Sequence, residues 1–181
     1  MAYIGLRNPI IGKRTAAGKY STPSAMGKAV SVEITPNYAE ASLYADDGKA
    51  EYVKEFSDAD VTLGTDTIPQ AMYETLFGHT VSDTDGVTFN KDDANGYVGM
   101  AITAVSIVND VKKYEAMFLP MVKFADSSDS FETRGDSVTF KTPSISGKAA
   151  VEEDGNWKYV QAFDTEAEAT AWVNKKFGVT A

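Results

Sequence analysis

Polar and apolar residues alternate along much of this chain with a period of two, the spacing of a strand that buries one face. Over residues 29–35, Val30, Val32 and Ile34 fall on one face and Ser31, Glu33 and Thr35 on the other, and Pro36-Asn37 reads as the end of that strand. Residues 40–45 and 49–56 read as the arms of a hairpin turning at Asp46-Asp47-Gly48. On its second arm Glu51, Val53 and Glu55 face away from Tyr52, Lys54 and Phe56, so neither face is cleanly apolar. A strand of that kind suits a sheet edge or an inter-subunit surface better than a single buried core. Residues 60–65 add a short alternating run through Val61 and Leu63.

Further along, residues 97–108 are a β-forming run with small residues interspersed, and Asn109-Asp110 turns the chain. Residues 112–125 are the longest alternating stretch; Pro120 within it lacks an N–H, which predicts a bend, a bulge or an edge. Residues 137–142 read as a strand interrupted at Pro143, with 144–151 as its continuation, and 157–163 as one more. Helical spacing occurs twice. Pro69 precedes Met72, Tyr73, Leu76 and Phe77, with Gly78 as a stop. Thr165 and Glu168 fit a capping box, Lys175 and Lys176 lie in the last turn, and Gly178 follows. The sum, about six to nine strands and two helices, predicts a mainly β (α+β) domain. Residues 1–27, punctuated by Gly5, Pro9, Gly12, Gly18, Pro23 and Gly27, read as an extended N-terminal arm, and residues 28–181 as one β domain.

Charge changes this picture at one end of the chain. The net charge is -9, which argues against the surface as a whole gripping a phosphate backbone. Residues 1–32 nevertheless hold Arg7, Lys13, Arg14, Lys19 and Lys28 and no acid, while the rest carries 12 basic and 26 acidic residues. Those five cations are candidate inter-subunit residues, an arm able to dock on the acidic body of a neighbouring copy; the other readings are a nucleic-acid arm and a flexible soluble tail.

Candidate chemistry is sparse. With no cysteine and a single histidine, disulfides, thiolate metal sites, a cysteine nucleophile and any two-imidazole site are excluded. No apolar run approaches the roughly 18 residues of a membrane helix, and no leader pattern opens the chain, so a soluble protein made in the cytoplasm, without a membrane partner, is expected. Phosphate loops, dinucleotide fingerprints and nucleophile elbows are missing. Asp83-Thr84-Asp85-Gly86 and residues 126–130 lack the ligand spacing of a calcium loop and read as turns. The adjacent carboxylates Glu152-Glu153 and Asp92-Asp93 read as pointing apart, not as a glycosidase pair. His79, just past a helix end, reads as a capping or surface residue, and the aromatics as core packing. No catalytic residue, cofactor or metal ligand is expected.

Several segments carry a resemblance. Residues 140–149 (FKTPSISGKA), 154–158 (DGNWK) and 163–173 (FDTEAEATAWV), with 112–124 (KKYEAMFLPMVKF) and the start YIGLR at 3–7, resemble the major tail proteins of siphophages that infect Gram-positive bacteria. None of these segments is a chemical signature. The resemblance implies a tail-tube-type β-sandwich or barrel with a flanking C-terminal helix and one short internal helix. It also implies a non-enzymatic virion subunit that forms hexameric rings, stacking into the hollow tail tube through which DNA is ejected. The implied partners are further copies of the chain, the tape measure protein, the tail terminator and baseplate or distal tail proteins, with transient proximity to phage DNA. Assembly is expected in the host cytoplasm and residence in the virion tail. Because residue 181 directly follows the helix, no C-terminal decoration domain is expected. A tail terminator or head-tail joining ring protein, and a non-enzymatic carbohydrate-binding β-sandwich, remain the alternatives.

Overall fold

The computed structural model describes residues 2–45, 48–127, 133 and 142–179. Alternation has produced a mainly β protein: among the described residues there are eleven strands and two helices. In chain order they are β1 Ala2–Ala16, β2 Lys19–Tyr20, β3 Ser24–Ala25, β4 Ala29–Ala45, β5 Gly48–Thr65, α1 Gln70–Phe77, β6 Thr80–Ser82, β7 Gly86–Thr88, β8 Val98–Val108, β9 Val111–Phe124, β10 Ser144–Ala149, β11 Tyr159–Phe163 and α2 Glu166–Lys176. The expected strand over residues 137–142 lies largely outside the described residues.

All pairings are antiparallel. Nine strands form one sheet in the order β2-β1-β8-β9-β10-β5-β4, with β3 also on β1 and β11 also on β9; β6 and β7 form a separate small hairpin. One sheet face encloses the larger core, where Ile11, Met100, Ile102, Leu119, Val122, Phe124, Ile145, Val61 and Leu63 meet Met72, Leu76 and Phe77 of α1. On the opposite face α2 packs Ala169, Val173 and Phe177 over Ala101, Ala116 and Phe118. Gly99 and Gly12 make that second layer possible, since a Cβ at Gly99 would lie 2.6 Å from the Tyr20 ring and one at Gly12 would lie 3.1 Å from Phe177. The helix starts as its sequence predicts: Thr165 accepts from the Glu168 N–H, and the Glu168 carboxylate accepts from the Thr165 N–H.

Four local readings change. First, residues 2–16 are extended, but as a strand of the main sheet along β8, not as a separate arm. Their glycine and proline content serves a bulge between Arg7 and Ile10, where Asn8 has φ 53°, and the close approach at Gly12. The boundary at residues 27/28 therefore divides nothing structural: Met26 is part of the core, and the N–H of Lys28 donates to Asp66 at 2.7 Å.

Second, β4 does not end at Pro36. Among the described residues it is the outermost strand of the sheet, so a residue without an N–H costs no ladder bond on its outer side, and the strand runs on to Ala45. Third, Val30 is exposed and not on the face of Val32 and Ile34, because the register shifts between Ala29 and Ser31. Fourth, residues 48–65 form one continuous strand where two runs were predicted. Pro120 does mark a bulge: Leu119 and Val122 of β9 face Met100 and Val98, so Pro120 and Met121 oppose Gly99 alone.

Candidate assembly surface

Among the described residues, the distal part of the β4–β5 hairpin is a long run of exposed regular structure, with every side chain from Ala39 to Leu43 and from Glu51 to Glu55 exposed. Strand β10 supports β5 only from Ala59 to Gly64, where Ala149 pairs with Ala59 and Ser144 with Gly64. Beyond Ala59 the ladder continues as two strands, from Tyr38↔Phe56 to Ala45↔Gly48, with no third strand among the described residues.

Pairing register sorts the ribbon's side chains onto two faces. Tyr38, Phe56, Glu40, Lys54, Ser42 and Tyr52 share one, and Ala39, Glu55, Ala41, Val53, Leu43 and Glu51 share the other. Leu43 is 59% exposed and Val53 49%, and Tyr38 and Tyr52 are exposed on the opposite side. Glu40 pairs with Lys54 at 2.9 Å, and the Lys54 ammonium lies 4.5 Å from the centroid of the Tyr38 ring. Mixed faces were legible in the alternation of residues 51–56; the length of the unsupported ribbon was not.

Two contacts fix the ribbon's root. On the core side Phe56 stacks on Trp157, with ring centroids 4.7 Å apart and planes 15° from parallel. On the outer side Lys148 Nζ lies 3.1 Å from Asp58 and 3.2 Å from Asp60, and Asn37 Nδ2 donates to both carboxylates at 2.8 and 2.7 Å. The Asn37 hydrogen bonds, with Lys148 beside them, hold both aspartates below their ordinary pKa. Between these contacts the register shifts at Asn37/Tyr38, leaving Ser57 without a partner.

Of the candidate cations, Arg7 is already engaged with Glu166 at 3.0 Å, and Arg14 with Glu153 at 3.0 Å and Glu152 at 3.7 Å, all within the chain. Glu152 and Glu153 thus converge on one guanidinium where they had been read as pointing apart. Lys13, Lys19 and Lys28 are exposed, with no ion pair among the described residues. The structure does not gather the five into one patch around a single partner.

A cleft of about 390 Å³ lies behind Arg14, lined by Tyr20, Phe118, Tyr159, Glu152, Asp154 and Lys176 among others. Several of its polar groups have partners within the chain, although the neighbouring Arg14 Nε is buried without one. Tyr20 Oη donates to the Pro120 carbonyl at 3.0 Å, Asp154 accepts from Asn156, and the Lys176 ammonium sits 3.6 Å from the Tyr159 ring centroid. Burial, then the neighbouring Asp154 charge, pushes the Glu152 carboxyl up despite Arg14.

His79 was expected to cap a helix or lie at the surface. Its backbone N–H does cap α1, donating to the Tyr73 carbonyl at 3.4 Å, but its side chain is buried between Asp93 and Asp126. Its partners lie 14 and 47 residues away, beyond the reach of any local pattern. No family model matches the chain, and no curated protein matches it. Among the described residues no cluster of histidine and carboxylates is arranged to hold a metal.

Proposed function

We propose that the protein is a structural subunit that works by assembling with copies of itself, of the kind found in phage tail tubes. The observation that carries the reading is the unsupported β4–β5 ribbon. It presents apolar side chains to water on both faces, and an isolated two-stranded ribbon is at best marginally stable in water. A neighbouring copy would cover it.

The outer edge of β4, which pairs with no other strand among the described residues, gives the same reading a second support, because a long unpaired edge is an invitation to further strand addition unless an assembly closes it. The resemblance in residues 3–7, 112–124, 140–149, 154–158 and 163–173 supplies the more specific form, hexameric rings stacked into a tube. An acidic chain suits a DNA conduit, since like charge keeps phosphates from adhering to its wall. A terminator or joining ring would share these features but stop at one ring.

Light scattering and negative-stain microscopy of the purified protein test the proposal. Rings or striated tubes are expected, and the double substitution Leu43→Lys, Val53→Lys is expected to abolish them. Because both side chains are exposed, the unfolding free energy should change by no more than about 0.5 kcal/mol. Tubes that survive this substitution, or a chain that stays monomeric at all concentrations with and without preformed tail tips, would overturn the reading.

A further inference from the structure

We infer that His79 is a doubly donating imidazolium that tethers the end of β9 to the loop following β7, and that loss of one ring proton releases the Asp126 end of the tether. This rests on the geometry of one side chain and is independent of the assembly proposal.

The imidazole is only 4% exposed, with Nδ1 2.7 Å from Asp93 Oδ2 and Nε2 3.0 Å from Asp126 Oδ1. Ionised carboxylates only accept hydrogen bonds, and a neutral imidazole has one N–H to give. Both contacts can exist together only when both nitrogens carry protons. The neutral ring would set a lone pair against one of the two carboxylates, a repulsion that is costly at the largely buried Asp93 and escapable only at the exposed Asp126.

The surroundings decide which contact fails first. The ring is boxed by Tyr73 and Phe77 of α1 and by Phe89, whose centroid is 4.3 Å away. The titratable groups facing it are Asp93 from the loop after β7, Asp126 from the end of β9 and Tyr73 from α1; among the described residues no lysine or arginine pairs with either aspartate. Asp93 is held a second time, accepting from the Asn90 backbone N–H at 2.8 Å, and its side chain is only 16% exposed. Asp126 has His79 as its side-chain partner and is 60% exposed, so it can turn to water at little cost. The remaining proton therefore stays on Nδ1 with Asp93.

Asp126 directly follows Ala125, whose N–H donates to the Ser146 carbonyl at 2.8 Å in the last backbone bond between β9 and β10. The His79 contact carries the order of β9 past that point. Burial pulls the imidazole pKa down, but the hydrogen bonds to Asp93 and Asp126, together with their charges, outweigh it and the net direction is up. A raised folded value means that the contribution to stability is complete below the ordinary value of about 6.5 and is lost as pH rises through the folded value. While both carboxylates are ionised, the tether is thus held on the acid side of the imidazole titration and opened by base.

Because the chain has one histidine, a labelled sample gives one set of imidazole signals. Ring 15N and 1H shifts of the full chain, in solution or by magic-angle spinning if it assembles, are followed from about pH 5 to 10. Both nitrogens should be protonated at neutral pH, with a midpoint above about 6.5 that Asp126→Asn lowers by about one pH unit. Amide exchange at residues 125–127 should accelerate above the midpoint by more than the intrinsic base catalysis, and should be fast throughout in Asp126→Asn. Asp93→Asn provides the second variant and should lower the midpoint too. A single neutral tautomer at neutral pH, a midpoint unmoved by Asp126→Asn, or exchange at 125–127 that ignores the titration would each overturn the inference.

Discussion

The β8–β9 pair and the distal β4–β5 ribbon are built from the same antiparallel ladder, yet they sit at opposite extremes of burial. Every residue of β8 from Val98 to Ser106 is buried, because the main core lies on one face and α2 or β1 neighbours cover the rest. Every described side chain from Ala39 to Leu43 is exposed. Backbone hydrogen bonds are common to both and each contributes little net free energy, so the layers above and below a ladder decide its stability. One region is self-sufficient; the other needs its root contacts or a partner.

The sharpest way to break the self-sufficient half is Leu119→Ala. Leu119 is fully buried in β9, and the substitution is expected to cost about 2–5 kcal/mol, read as a lowered urea midpoint by circular dichroism. The whole chain should unfold with it, since β9 joins β8, β10 and β11.

Trp157→Ala tests the ribbon's dependence on its root. The ring is half-buried and stacked on Phe56, so a loss of about 2 kcal/mol is expected, concentrated in the ribbon. Hydrogen exchange should speed up at residues 38–56 while β8 stays protected; uniform acceleration would mean that ribbon and body unfold as one.

A smaller effect separates the two regions by pH. Asp58 and Asp60 have lowered pKa values in the folded chain, so their contribution is present above the ordinary aspartate value of about 3.9 and is lost as pH falls through the depressed values. Exchange at the ribbon root should rise in acid, and Lys148→Met should flatten that rise. The His79 imidazole has the opposite sign, its own contribution being lost as pH rises and not as it falls.

Much of this architecture was legible in short-range pattern. Thr165 and Glu168 announced α2, Met72, Leu76 and Phe77 announced the buried face of α1, and Pro120 announced the bulge in β9, because each signal and its consequence lie within a few residues. What was missed depends on distant partners. Gly12 looked like a loop residue because the Phe177 ring it accommodates is 165 positions away in sequence. Pro36 looked like a stop because only the sheet order places β4 at the edge of the described strands. Glu152 and Glu153 converge because Arg14 arrives from the opposite end of the chain. The candidate assembly ribbon was half visible: its mixed faces are a local property, whereas its lack of a third strand among the described residues follows from where β10 stops.

Ser57 separates the ribbon's direction from its chemistry. It is the one residue of β5 without an opposite number between the pairs Asn37↔Asp58 and Tyr38↔Phe56. Deleting it would leave each of those pairs, and every face assignment beyond them, as it is, while removing the local bend and added twist that a bulge imposes. A single extra residue thus bends the ribbon where it leaves the body, so that direction and face chemistry are set by separate positions of the chain.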